Sequence, residues 1–281
     1  MNSLTTAITG HPCAWQSGDG MRWIVYEKAG GLWLVSWDGI NTSVHTEIVA
    51  AGMGPAAVRM APSNDVALFW ATREGDLLVD NLQRTGTGYQ MEGTPTTIVD
   101  ASEGDHPPVG YASDAVQDLT GRICVFYDCW GTFLERGMYK AWLTADMVVL
   151  DRRQVCPYEV AWCPLGHNWF HNVRAVAMKP SADFLLAYMR LSYGQPKTQG
   201  LYSCVFTNNP YYVWRDPIAE WYVVRYGHGT QPPSTLEYLI TADADDLYGI
   251  DRQPSGVYVV HYIHDGTRQT MTSNDGGQTW A

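Results

Sequence analysis

Residues Ser273–Trp280 read Ser-Asn-Asp-Gly-Gly-Gln-Thr-Trp, and the chemistry of that octet is that of one tight turn. The aspartate can accept hydrogen bonds from backbone amides of its own loop, and the glycines can take the positive φ such a loop demands. The closing tryptophan pairs an apolar body with a polar handle, which suits packing between sheets. Upstream lies a polar turn followed by an aromatic-ended apolar run, "QPSGVYVVHYIH", then a second turn and a strand, "GTRQTMTSNDGG". Such a unit is hairpin chemistry, with side chains alternating at a period of two.

The same unit recurs. "SGDGMRWIVYEK", "PSNDVALFWATR", "LTGRICVFYDCW" and "PSADFLLAYMRL" repeat the turn and the aromatic-ended run around Gly20, Asp65, Gly121 and Asp183. From Asp19 the turns advance by 46, 56, 62 and 73 residues, and 44 more lead from Gly256 round the termini to Asp19. Four-stranded propeller blades recur every ~40–50 residues, more with insertions. The spacing predicts an all-β, single-domain five-bladed β-propeller over residues 1–281, with six blades as the alternative. The blades fall at about 11–52, 53–104, 105–160, 161–222 and 223–281, and the longest interval holds an insertion around 208–245. Helices are disfavoured because 27 Gly and 15 Pro interrupt every longer stretch.

The terminal octet resembles the Asp box, S-x-D-x-G-x-T-W, of sialidase-like (BNR repeat) β-propellers, matching at Ser273, Asp275, Gly277, Thr279 and Trp280. "SWDGINTS" from Ser36 reads as a decayed copy that keeps Ser36, Asp38 and Thr42. In that family the box leads from the third to the fourth strand of a blade and is scaffold. The resemblance implies that residues 3–9 supply the last blade's missing strand and close the sheet array. The wider sialidase pattern, an R-I-P motif and three blade-spaced arginines, is absent from the sequence.

A net charge of −11 and singly scattered Lys and Arg argue against nucleic acid. No apolar run approaches the ~20 residues of a membrane span, and the first twenty residues lack the form of a signal peptide. The expected protein is soluble, in the cytoplasm or assembled into a virion. The six cysteines form no CxxC pair, so neither a metal nor any other cofactor is expected.

Twelve Trp and 17 Tyr against six Phe suit half-exposed sheets and clefts. The loops between second and third strands, together with the blade-to-blade connections, share one face. "VAWCPLGHNWFHN" places Trp162, His167, Trp169 and His171 there, and "VVRYGHGTQPP" adds Tyr226 and His228. "EGDHPP" contributes Asp105 and His106, and "YDCWGTFLE" contributes Asp128, Trp130 and Glu135. Aromatic faces beside hydrogen-bonding groups suit sugar rings and protein interfaces alike. The preferred expectation is a non-catalytic module binding glycan or protein through Trp130, Trp162, His167, Trp169, His171, Tyr226, His228 and His106. One setting is a larger assembly such as a bacteriophage tail. The alternative is a five-bladed glycoside hydrolase using Asp105, Glu135 and Glu159 as candidate acid and base.

Overall fold

The computed structural model describes residues 9–38, 40–43, 45–86, 88–104, 106–129, 137–157, 168–178, 184–192, 198–206 and 237–281. Among these residues the regular structure is β apart from one 3-10 turn, Ala101–Glu103. The first sheet runs β1 (Thr9–Gln16), β2 (Arg22–Lys28), β3 (Gly31–Trp37), β4 (Thr46–Val49). The second holds β5 (Met53–Arg59), β6 (Val66–Ala71), β7 (Leu77–Thr85) and β8 (Gly88–Met91), and β9 (Thr96–Val99) also pairs with β7. The third is β10 (Val109–Gln117), β11 (Ile123–Cys129), β12 (Gly137–Leu143), β13 (Val149–Pro157). The fourth is β14 (Asn168–Ala177), β15 (Phe184–Ser192), β16 (Thr198–Phe206), β17 (Glu237–Thr241). The fifth is β18 (Asp246–Arg252), β19 (Tyr258–His264), β20 (Thr267–Ser273). Five small sheets of this kind make an all-β, five-bladed β-propeller. The six-sheet alternative falls away.

Local turn chemistry explains the repetition. Ser17, Asp118 and Gln253 each donate their amide to the carbonyl four residues on, at 2.9, 2.8 and 2.8 Å. The glycine closing each loop, Gly20, Gly121 and Gly256, has φ of 86°, 88° and 93°, a region open to glycine at little cost. Gln16 and Gln117 brace their loops alike, donating to Gly20 and Gly121 carbonyls at 3.0 and 3.1 Å. The next hairpins, through Ala29-Gly30 and Asp265-Gly266, hold both central residues at positive φ, as a two-residue loop with the right twist requires.

Every first strand carries a register irregularity against its second strand: Thr9/Cys13, Met53/Ala56, Val109/Tyr111, His171/Arg174 and Leu247/Gly249. Bulges of this kind bend the strand and re-aim its side chains. Four of the five lie in the half of the strand nearest the loops between second and third strands, and that of β14 lies at its centre.

The chain divides into two compact units, Met1–Gly131 with Lys140–Arg152, and Thr132–Tyr139 with Arg153–Ala281. In the first, β5 packs against β1 and β10. Trp15, Trp23, Val25, Leu34, Leu68, Trp70 and Tyr89 form the core between the first two sheets. Tyr89 meets Trp15 and Trp23 edge-on at 5.4 and 5.0 Å, and Arg84 lies over both Tyr89 and Trp23. In the second unit β14 packs against β18, and Leu185, Met189, Leu201, Leu247, Ile250 and Val260 fill the space between fourth and fifth sheets.

The terminal octet belongs to this second core. Asp275 Oδ1 accepts from the amides of Gln278 and Thr279 at 3.0 and 2.9 Å, and Oδ2 accepts from the Thr279 hydroxyl at 2.6 Å. Ser273 Oγ donates to Asp275 and accepts from the Gly277 amide. Ser203 of β16 donates to the Gly277 carbonyl at 2.8 Å and accepts from Trp280 Nε1 at 2.9 Å, tying the octet to the neighbouring sheet. After the octet Ala281 returns to Thr272, exchanging both backbone hydrogen bonds with it. The closing strand expected at 3–9 lies outside the described residues, Thr9 excepted.

Among the described residues no helix is long and apolar enough to cross a membrane. Cys124 and Cys129 are buried free thiols, and burial pushes the Cys124 thiol up to about 12.

Candidate functional site

Strand β11 reads Ile-Cys-Val-Phe-Tyr-Asp-Cys and is buried along its whole length. Six of its residues suit that burial, and Asp128 does not. A carboxylate out of water must find partners or take up a proton. Asp128 is 8% exposed, and burial raises its pKa from 3.8 to about 7, while a hydrogen bond from Tyr111 works in the opposite direction. The group is therefore a carboxyl poised near neutrality, the condition an acid–base catalyst needs.

A chain of contacts through three sheets leads to it. Tyr111 stands opposite Asp128 in the β10–β11 ladder, with register irregularities on both sides of the pair. Against Tyr111 lies Gly54 of β5, whose φ is 50°. A Cβ built on Gly54 would sit 2.2 Å from the Cβ of Tyr111. The Gly54 amide donates to Glu27 Oε2 of β2 at 3.3 Å. Glu27 and Asp128 occupy equivalent places in their blades, each seven residues past its turn glycine, Gly20 or Gly121; the fifth blade has Ile263 there. Charge at a place where another copy is apolar is the signal that could have singled out this pair. In the sequence Asp128 stood only as one polar loop neighbour, and Glu27 did not stand out at all.

His106 covers the other face of β11. Its Nδ1 lies 2.9 Å from the Pro107 carbonyl oxygen, which can only accept, so that nitrogen carries a proton. Nε2 meets the Tyr127 hydroxyl at 3.1 Å, and the rings are 5.7 Å apart. Cys129 Sγ is 3.9 Å from Nδ1, and burial with the nearby Asp128 charge pushes its thiol far above the ordinary range. The Cys129 thiol is therefore no ready nucleophile.

Of the residues expected to bind ligand, His106 is placed against Tyr127 and Cys129, on the face of β11 away from Asp128. Trp169 and His171 lie on β14 of the second unit, opposite Leu191 and Met189. Trp130, Trp162, His167, Tyr226 and His228, and the three candidate acids Asp105, Glu135 and Glu159, lie outside the described residues. In the second unit the ligand atoms of Asp245, His264 and Asp265 lie within 4.8 Å of one another. The two Asp residues are exposed, and His264 pairs with Asp265 at 3.6 Å.

No family model and no curated protein matches the chain. Solved structures do. An α-L-arabinanase from Penicillium chrysogenum, complexed with arabinobiose, aligns over 99% of this chain and 81% of its own, with a TM-score of 0.62 at 10% identity. The α-L-arabinofuranosidase of Fusarium graminearum, with an iminosugar inhibitor, aligns over 99% and 80%, with a TM-score of 0.59 at 9% identity. A polysaccharide lyase, an ulvan lyase bound to its saccharide, covers 100% and 73%, with a TM-score of 0.57 at 9% identity. What is shared is the fold.

These neighbours correct the expectation of a non-catalytic binding module. These three structures, which match over nearly the whole chain, are of carbohydrate-cleaving enzymes, and the two glycoside hydrolases among them favour the enzymatic alternative. The Asp-box family, as opposed to the five-bladed fold, is supported by no family model, and a virion or tail setting finds no support in these neighbours.

Proposed function

We propose that the protein is a glycoside hydrolase in which Asp128 is the acid and Glu27 the second carboxyl group. The observation that carries this reading is Asp128 itself, a buried carboxyl kept protonated up to about pH 7 in the part of the fold where bulged strand starts meet second-strand ends. Cleaving a glycosidic bond takes one carboxyl that gives its proton to the departing oxygen. A second takes a proton from the attacking water or bonds the anomeric carbon. Burial suits Asp128 to the first role. Glu27, half-buried at the equivalent place of the first sheet and tied to Gly54, is suited to the second. The fold likeness to arabinose-polymer hydrolases supports a neutral sugar as substrate. So does the acidity of the chain, since a surface of net charge −11 repels uronates and sialates. His106 and Trp130, flanking the Asp128 segment in sequence or space, are the proposed sugar contacts.

The test is a panel of chromogenic pentosides and hexosides together with arabinan oligosaccharides. Turnover of at least one is expected, reduced ~10²–10⁴-fold in Asp128→Asn with thermal unfolding intact, the usual yield of general acid catalysis. Unchanged turnover in that variant removes Asp128 from the role. A folded parent protein that turns over none of them removes hydrolysis.

A further inference from the structure

A buried acid acts only if its proton points at the bond to be broken, and an aspartate carboxyl can turn about two side-chain torsions. From the ladder geometry and the close contact beneath it, we infer that Tyr111 is the positioning residue of the Asp128 carboxyl, and that Gly54 is the seat that fixes Tyr111. The inference rests on the acid role proposed for Asp128.

Tyr111 and Asp128 are direct cross-strand partners, close enough for the tyrosine hydroxyl to donate to the carboxyl. A donor on one carboxyl oxygen leaves the acidic proton to the other, so the hydroxyl selects which oxygen is the acid. The tyrosine cannot slide towards β5. A Cβ on Gly54 would lie 2.2 Å from the Tyr111 Cβ and 3.0 Å from its Cα, so the backbone of β5 touches the root of the ring with nothing between. Gly54 is held in turn, since its amide is bonded to Glu27. Its φ of 50° also disfavours any other residue. The two carboxyl groups of the proposed pair are thus joined through one glycine and one tyrosine, each from a different sheet. A shift in either is passed to the other through contacts that have no slack.

The hydroxyl favours the ionised carboxyl, so its removal has a signature that looser packing lacks. In protein carrying selectively labelled aspartate, with the Asp128 signal assigned through Asp128→Asn, NMR titration of Tyr111→Phe is expected to show Asp128 losing its proton at higher pH than in the parent. The ring and its seat remain in that variant. Gly54→Ala, which drives the ring away, is expected to move the titration the same way; should it fail to fold, Tyr111→Phe carries the test. An unchanged Asp128 titration in Tyr111→Phe overturns the positioning role and leaves the hydrolase reading standing. A shifted titration in a protein without glycosidase activity upholds the positioning contact and removes the hydrolase. With activity in hand, Tyr111→Phe should lower kcat at unchanged KM and move the alkaline limb of the pH profile upward.

Discussion

Asp128 works against the stability of the protein that contains it. Below pH 3.8 the folded and unfolded chains both keep its proton, and the residue makes no difference between them. Between 3.8 and about 7 the unfolded chain releases the proton and the folded chain holds it, so stability falls as pH rises through that window. Each unit of displaced pKa corresponds to ~1.4 kcal/mol, which makes the cost at neutral pH a few kcal/mol. Asp128→Asn keeps the shape and removes the ionisation. Its melting temperature relative to the parent should climb from about pH 4 to about pH 8. A difference that stays flat across that range would mean the carboxyl is solvated. Greater stability with loss of turnover is the pattern of a group kept for function.

At the scale of elements, the hairpins were legible because their chemistry is local. Gly20, Gly121 and Gly256 sit in the same loop with φ within a few degrees, and five turn-and-strand copies counted the five sheets. Gly277 adds a demand that local reading misses. Beyond its φ of 89°, a Cβ there would lie 2.4 Å from Leu185 Cδ1 on the neighbouring sheet. Gly277→Ala should therefore lose more than a turn glycine ordinarily does, on the order of 1–3 kcal/mol by denaturant unfolding. A smaller loss would show that Leu185 gives way. The site was the illegible part. Asp128 is unusual only because it is buried with Tyr111 across the ladder, and Tyr111 in turn is seated on Gly54, far off in sequence. Sequence reasoning looked for acids in loops, whereas this pair stands at strand ends. Aromatic composition is no better a guide to a cleft, since Trp15, Trp23 and Trp70 serve a core between sheets.

For the whole molecule the turn carboxylates and the buried one pull stability in opposite directions. Asp275 is held far below the ordinary carboxylate range by the Thr279 hydroxyl and amide and by Ser273. Asp19 is lowered chiefly by the Ser17 hydroxyl, Asp38 by the Asn41 and Ile40 amides, and Asp100 by the Ser102 hydroxyl and amide. Burial of Asp118 works upward, yet Thr120 and Arg122 outweigh it. A lowered carboxylate stabilises the fold above its unfolded pKa, and that contribution drains away as pH falls through the folded value. Repeated over five turns, this predicts a steep loss of stability on the acid side of the carboxylate range. Asp128 predicts a gentler decline between that range and neutrality. Thermal unfolding across pH should therefore peak on the acid side of neutrality, between the turn carboxylates and about 7. Asp275→Asn should blunt the acid limb and leave the other side unchanged, because its bonds are confined to one turn. Asp128→Asn should do the reverse. An acid limb insensitive to Asp275→Asn would place the acid-labile contacts elsewhere than in the turns that repeat along this chain.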